Sequence, residues 1–338
     1  MQISIAWADA NVVSKAPGET VNHSFTCSKI LPSALIKSGD FFEGSTWNDP
    51  SVLWDKGRYV MYASSDHHFD THIEIYRLVS SDGKQWMLSP GFPVLSPSED
   101  GWDRKSVETP SVVFFKGRYY LFYTGYAKRQ SDVRDYKIGY AVSDDGIRWT
   151  RMTQPLVRPT QPYAWFPSMD FRQYIVSEPA ALVMNDRLYV YFTALGGDKE
   201  VNTTLQTIGL IVSEDGKSWS APKMILRPDQ KFYSRENNIK GFSTPAALAA
   251  DGKVHLFFDV VTDEPFSQIA LSHAFSENGV DGWVQESTPF LTKSDLIWTG
   301  NQIRSPSAMI KRDGSVLLWF AGDDGVDFLG IGQALCHF

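Results

Sequence analysis

The sequence predicts an all-β fold made of five copies of one unit, on three observations. A short polar–Pro–small motif opens an apolar run five times, with its prolines at positions 50, 110, 179, 245 and 306. The same pattern of turns and strands follows each motif, and no amphipathic helical pattern interrupts it. A period of about 60 to 70 residues suits a four-stranded antiparallel blade with long loops. The prediction is therefore a five-bladed β-propeller.

Each unit begins with its motif and continues through two turns. A tight turn such as Asp55-Lys56-Gly57-Arg58 leads into an aromatic, β-rich segment, and a later turn has the signature Ser-x-Asp-Gly-x-x-Trp. Glycine supplies the positive φ that tight hairpins need, so each unit is predicted to be a run of antiparallel hairpins. The motifs are Asn48-Asp49-Pro50-Ser51-Val52, Glu108-Thr109-Pro110-Ser111-Val112, Ser177-Glu178-Pro179-Ala180-Ala181, Ser243-Thr244-Pro245-Ala246-Ala247 and Arg304-Ser305-Pro306-Ser307-Ala308.

The last unit lacks its fourth strand. Its third strand, predicted over residues 330–335, ends three residues before the C-terminus. Residues 11–15 resemble the fourth strands of the other units, so we expect the N-terminus to supply the missing strand and to close the ring. Closure of this kind leaves few exposed strand edges. Residues 1–338 are accordingly predicted to form one domain.

Composition excludes several classes of function. The formal net charge of −7 offers no basic surface, so neither nucleic acid nor a membrane is expected as a partner. Cys27 and Cys336 are too few for a disulfide framework, and a single bridge between them stays open. The chain shows no leader-like segment and no run of about eighteen apolar residues, so a cytoplasmic protein is expected. No cluster has metal-ligand spacing, and no metal or cofactor is expected.

The candidate catalytic residues lie at the motifs. Three motifs carry a carboxylate, namely Asp49, Glu108 and Glu178, whereas the other two carry Ser243 and Arg304. First strands of a propeller line its central channel, and here they begin on the face with the long polar loops. Convergent carboxylates suit glycosidic cleavage, which needs one acid for the departing oxygen and one carboxylate for water or the anomeric carbon.

Candidate substrate-binding residues surround the same face. Tryptophan near a first strand offers a flat surface for a sugar ring, arginine can hold a phosphate or carboxylate, and polar residues end the second strands. Each also has a structural interpretation as a packed or loop residue. The candidates are Trp47, Asp66, His67, Arg104, Ser243, Asp259, Arg304 and Asp323.

The motif Trp47-Asn48-Asp49-Pro50 is similar to the Asn-Asp-Pro motif that opens the first blade of family 32 fructosidases. Over nearly its whole length the chain resembles the five-bladed propeller glycoside hydrolases, the group of families 43, 32, 68, 117 and 130. The resemblance implies that Asp49 is the general base, as in family 43, or the nucleophile, as in family 32. Glu178 matches a carboxylate that positions the acid, and Ser243 replaces the acid of family 43. Glu108 or Glu178 is therefore expected to be the acid.

These observations predict a glycoside hydrolase that acts on an oligosaccharide or polysaccharide with inversion of configuration. A phosphorylase or transglycosidase of the same fold is an alternative, with Arg104, Lys105, Arg304 and His67 as a phosphate pocket. A non-catalytic glycan-binding propeller is a second alternative, because Ser243 stands where an acid is expected. The sugar, its linkage and the oligomeric state are left open.

Overall fold

The regular structure of the chain is almost entirely β-strand. The structure is a computed structural model and describes residues 24–66, 72–130, 133–134, 136–159, 175–198, 203–228, 233, 237–263, 265–326 and 329–338. Within these ranges a 3-10 turn covers Ile297–Thr299, and the remaining named elements are strands. No helix in the described part of the chain is long and apolar enough to cross a bilayer.

The strands form a series of antiparallel units. The first strand, β1 (Thr26–Ile30), precedes the repeats. The first repeat contains β2 (Asn48–Asp55), β3 (Arg58–Ser65), β4 (Glu74–Ser80) and β5 (Met87–Leu88). The second contains β6 (Ser106–Phe115), β7 (Arg118–Tyr126), the small hairpin β8 (Arg129–Gln130) and β9 (Val133–Arg134), then β10 (Lys137–Ser143) and β11 (Thr150–Arg151). In the first repeat β2 to β5 pair antiparallel in one sheet. In the second repeat β6, β7, β10 and β11 do so, and β8 pairs only with β9.

The later repeats follow the same plan. The third contains β12 (Ile175–Met184), β13 (Arg187–Asp198), β14 (Thr203–Ser213) and β15 (Lys223–Leu226). The fourth contains β16 (Ile239–Ala250), β17 (Lys253–Thr262), β18 (Ser267–Ser276), β19 (Val284–Gln285) and β20 (Leu291–Thr292). The last contains β21 (Gln302–Ile310), β22 (Val316–Asp323) and β23 (Gly330–His337). A parallel bridge between Gln206 and Gly241 joins the third and fourth sheets.

The first strand of every repeat carries a bulge at its proline motif. The pairing of the first strand with the second shifts there in all five repeats. The residue before each proline has a positive φ, which is uncommon for residues other than glycine. These residues are Asp49, Thr109, Glu178, Thr244 and Ser305, with φ between 44° and 57°. Bulges re-aim side chains and are common beside active sites.

The five first strands contact one another in cyclic order, from β2 through β6, β12, β16 and β21 back to β2. Serines after the prolines strengthen several of these contacts. Ser51 Oγ accepts a hydrogen bond of 3.0 Å from Val112 N, and Ser307 Oγ accepts one of 3.0 Å from Val52 N. The second of these bonds joins the last repeat to the first.

An N-terminal strand completes the last sheet, whose order is β1-β23-β22-β21. The strand is Thr26–Ile30, in which Cys27 lies opposite Cys336 of β23 and forms a disulfide with it. The expected type of closure is therefore present, but the expected segment is wrong. Residues 11–15 lie outside the described residues, and β1 already occupies the free edge of β23. Disulfides persist mainly in oxidising compartments, whereas the sequence led us to expect a cytoplasmic protein.

Removing this disulfide is expected to destabilise the protein, because the bridge ties the closing strand to the last sheet. We expect the double variant Cys27→Ser with Cys336→Ser to lose about 2–4 kcal/mol of unfolding free energy, measured by denaturant titration. The wild-type protein in a strong reductant should match the variant. Equal stability of oxidised wild type and variant would show that the pairing of β1 with β23 does not depend on the bridge.

Candidate active site

A cavity of about 570 Å³ opens where the proline-motif strands begin. Three structural positions supply most of its walls: the starts of first strands, the ends of second strands and the starts of third strands. The sequence predicted the site on this face, because the long polar loops lie there. The described lining residues include Asn48, Asp49, Ser64, Ser65, Asp66, Glu108, Lys128, Ser177, Glu178, Gln206, Phe266, Gln268 and Arg304.

The structure brings Asp49, Glu108 and Glu178 to this one cavity. They do not occupy equivalent positions within their motifs. Asp49 and Glu178 immediately precede their prolines and adopt the positive φ of the bulge, whereas Glu108 lies two residues before its proline. In the first and third repeats both positions face the cavity, as Asn48 with Asp49 and Ser177 with Glu178 do.

Asp49 is held by the last repeat. Arg304 Nη2 lies 3.5 Å from Asp49 Oδ1, and Ser305 Oγ donates a 2.7 Å hydrogen bond to the same oxygen. Ser305 is fixed in turn, because its main-chain N–H donates to Asp259 Oδ1 at 2.8 Å. The chain of contacts from Asp259 to Asp49 therefore sets the orientation of a candidate catalytic carboxylate.

Arg304 is the cation at the centre of this acidic site. Burial lowers the pKa of its guanidinium, but the opposing charges of nearby carboxylates outweigh burial and raise that pKa above its ordinary value. The carboxylates are Asp49, Asp259, Glu178 and Glu108. Arg304 thus stays charged and compensates several carboxylates at once.

Asp259 is completely buried beneath the site. Burial raises its pKa well above the usual range, Arg304 opposes that rise, and Glu178 adds to it. Hydroxyls occupy the corresponding second-strand position in the first three repeats, where Ser64 and Thr124 accept the main-chain N–H of Thr109 and Glu178 at 2.9 and 2.7 Å. Asp259 is therefore a carboxylate at a position that needs only a hydrogen-bond acceptor.

Glu178 is fixed by the fourth repeat. Its Oε2 accepts a 2.9 Å hydrogen bond from the main-chain N–H of Thr244, which is also 3.0 Å from Thr193 Oγ1. Because both the backbone and the side chain of Glu178 are hydrogen-bonded, its carboxylate has a defined direction in the cavity.

Several sequence candidates lie elsewhere, which corrects their predicted contact with substrate. Trp47 is fully buried, and its indole donates to Asp40 O and to Ser45 Oγ, so it packs instead of stacking on sugar. Arg104 is exposed and lies outside the described cavity wall. Asp323 accepts from Asn301 Nδ2 at 2.7 Å and closes a loop.

The remaining candidates divide between the wall and the layer behind it. Ser243 is buried and its Oγ lies 3.4 Å from Asp259 Oδ2, so neither residue reaches the described cavity surface. Asp66 does line the cavity and accepts a hydrogen bond from Thr46 Oγ1. His67 lies outside the described residues.

Sequence reasoning missed several polar residues of the cavity wall. Asn48 Oδ1, Ser65 Oγ and Gln206 Oε1 are buried and have no hydrogen-bond partner within the described residues. Lys128 is an exposed cation on the same wall. Buried polar atoms are normally paired, so these three atoms indicate that a polar ligand completes the site. No group of three metal-ligating residues occurs in the part of the chain that the structure describes.

A family model matches residues 44–272, a range that includes Asp49, Glu108 and Glu178. It is the model of glycoside hydrolase family 130, described as beta-1,4-mannooligosaccharide phosphorylase. The chain belongs to this family. Family 130 is within the group of propeller families that the sequence motifs resemble, so that resemblance is confirmed. The chain is accordingly a glycoside-processing β-propeller.

Related proteins agree with membership of family 130. A beta-1,2-mannobiose phosphorylase of Thermoanaerobacter sp. (strain X514) is 27% identical over 150 residues, 41% of this chain and 46% of that protein. A 1,2-beta-oligomannan phosphorylase of the same organism is 28% identical over 227 residues, 65% of this chain and 67% of that protein. The match thus spans just under half the length of the first relative. A solved glycoside hydrolase has the same fold, with a TM-score of 0.73, 15% identity and 92% coverage of both chains.

Proposed function

We propose that this chain is a single five-bladed propeller that cleaves β-mannosidic bonds of a mannooligosaccharide, with inorganic phosphate as the attacking group. The observation that carries the proposal is the meeting of Asp49, Glu108, Glu178 and Arg304 in one open cavity. The family's description and the names of both curated relatives supply the substrate class. The cyclic contacts of the five first strands support the number of blades.

The proposed reaction needs one acid and one nucleophile. Glu108 donates a proton to the glycosidic oxygen as its bond to C1 breaks, and a phosphate oxygen bonds to C1 from the opposite side. Glu108 is the proposed acid because it lies two residues before its proline, the motif position that the resemblance to family 43 gives to the acid, whereas Asp49 and Glu178 immediately precede theirs. Asp49 and Glu178 stabilise the positive charge that develops on the sugar, and Arg304 and Lys128 attract phosphate.

Hydrolysis is the second candidate, and the charge of the cavity favours it. Among the described lining residues, four carboxylates face two cations, Arg304 and Lys128. Arg304 is also compensated by Asp49 at 3.5 Å. A site with an excess of negative charge disfavours a phosphate dianion and suits a water molecule activated by a carboxylate, here Asp49.

The test is to incubate the protein with β-1,4- and β-1,2-linked mannobiose, with and without inorganic phosphate. Phosphorolysis with inversion is expected to require phosphate and to give α-D-mannose 1-phosphate, identified by phosphorus and proton NMR. Release of α-mannose at equal rates with and without phosphate would favour hydrolysis. A β-configured first product would contradict inversion, and binding without cleavage would favour the glycan-binding alternative.

A further inference from the structure

An exposed aromatic ring lines the active-site cavity. Phe266 contributes to the cavity wall, and half of its surface is accessible to solvent. It immediately precedes β18, whose second residue, Gln268, lines the same cavity. An exposed ring on the wall of a polar cavity is a flat surface that a sugar ring can cover.

The wall that carries Phe266 differs in charge from the rest of the cavity. The carboxylates of the described lining come from the first three repeats and Arg304 from the last, whereas the fourth repeat contributes Phe266 and Gln268. The cavity therefore has a charged side, suited to chemistry, and a neutral side of amide and aromatic groups. Neutral amides and aromatic faces bind a sugar without reacting with it.

A buried amide oxygen in the neighbouring third repeat has no hydrogen-bond partner among the described residues. Gln206 of β14 lines the cavity, is only 8% exposed, and its Oε1 has no hydrogen-bond partner among the described residues. A buried acceptor without a donor is costly, and a ligand hydroxyl would remove that cost. Gln206 is thus a second, independent sign of a ligand on this side.

We propose that Phe266, Gln268 and Gln206 form the subsite for the leaving-group sugar of the substrate, an inference that rests on the proposed function. The reacting sugar must lie against the carboxylates, which are more buried than Phe266; Asp49, for example, is 5% exposed. The next sugar of the oligosaccharide extends from there toward solvent. Its apolar face covers the ring of Phe266, and its hydroxyls donate to Gln206 Oε1.

The first test compares two phenylalanines of similar exposure. Phe114 is 53% exposed and lies at the end of β6 that is far from Glu108, where it lines a separate cavity of about 1130 Å³. We expect Phe266→Ala to weaken binding of β-mannotriose about tenfold, and Phe114→Ala to leave it unchanged. Binding is measured by calorimetry without phosphate, in a Glu108→Gln background so that the sugar survives. Both mannotriose linkages, β-1,4 and β-1,2, are titrated.

The second test separates a binding role of Gln206 from a structural one. Gln206→Leu removes the unpartnered acceptor but keeps a side chain of similar size. We expect it to weaken mannotriose binding several-fold while leaving the unfolding free energy equal to that of the wild type or higher. A residue that mainly supports the fold would show the reverse, with lower stability and unchanged binding.

The outcomes also separate this subsite from the proposed function. If the parent protein binds neither mannotriose, the mannoside assignment fails, and the subsite fails with it. If the parent binds mannotriose and Phe266→Ala binds it equally well, the proposed function stands and the subsite is overturned. Weaker binding by Phe114→Ala to the same extent would also overturn it.

Discussion

Replacement of Glu108 by glutamine is expected to lower the rate of mannoside cleavage by about 10² to 10⁴ and to leave the fold intact. Glu108 lies near the start of β6, lines the cavity and is half-buried. Glutamine keeps the shape of the side chain and removes the proton that the departing oxygen needs. The initial rate on mannobiose and the unfolding free energy of each variant measure the two effects separately.

The leaving group distinguishes an acid from the other carboxylates. An aryl mannoside with an acidic phenol needs little protonation, so Glu108→Gln should retain appreciable activity on it. Asp49→Asn should lose activity on both aryl mannosides and mannobiose, because it removes a negative charge that the transition state needs with either leaving group. Glu178→Gln should resemble Asp49→Asn if Glu108 is the acid.

Glu99→Gln is the matched control, because Glu99 is an exposed glutamate outside the described cavity wall. It should behave as the wild type on every substrate. Three cavity variants that all cleave mannobiose at wild-type rates would contradict the site assignment and show that other residues carry the chemistry. A Glu178→Gln variant that alone recovers on aryl mannosides would make Glu178 the acid.

The sequence was sufficient to place the three carboxylates on one face. The prolines recur in register with the turns, and strand direction then decides which ends of the strands meet. The structure agrees, since Glu108 and Glu178 reach the same cavity from different repeats. Local pattern and repeat period determine this result, and no knowledge of side-chain packing is needed.

Which positions of the motif face the cavity could not be predicted, because this depends on the bulge. In a regular strand, successive side chains point to opposite faces. The residue immediately before the proline and the residue two positions before the proline would then face opposite sides of the sheet. The bulge removes that alternation, so Asn48 and Asp49 both line the cavity. Its positive φ at non-glycine residues such as Asp49 has no simple sequence signature.

Two further differences between the sequence predictions and the structure also have physical causes. The third strands begin on the same face on which the second strands end, so Gln206 and Gln268 could have been predicted from the sequence. They were missed because only the first and second strands were considered. Trp47 could not be excluded in that way. Its burial depends on packing against Tyr76 and on hydrogen bonds with Asp40 and Ser45, contacts that only the folded chain reveals.

Replacement of Arg304 by methionine is expected to impair both stability and activity. Arg304 is mostly buried and faces Asp49 at 3.5 Å, and its charge also compensates Asp259 and two glutamates. Removal of one partner of a buried ion pair leaves unpaired charge and typically costs about 3–5 kcal/mol. Denaturant titration measures this loss, and the rate on mannobiose should fall with it because Asp49 loses a group that orients it.

The loss of stability should depend on pH in a defined direction. Burial raises the pKa of Asp259 well above its usual range, and without the guanidinium that opposes this rise the folded state holds a proton on Asp259 at pH values where the unfolded chain has released it. The folded state then binds more protons than the unfolded state, so the unfolding free energy of the variant falls as pH rises. The difference in unfolding free energy between wild type and Arg304→Met should therefore be larger at pH 8 than at pH 5. A difference that does not change with pH would contradict electrostatic compensation.

A second substitution should recover part of the stability that Arg304→Met loses. Asp259 is the fully buried carboxylate of the cluster, and threonine occupies its position in the second and third repeats, at Thr124 and Thr193. A hydroxyl at residue 259 can accept the Ser305 N–H as those threonines accept theirs. Asp259→Thr in the Arg304→Met background should regain about 1–3 kcal/mol at pH 8 and leave activity low. A double variant no more stable than Arg304→Met would show that Asp259 is not the group that Arg304 compensates.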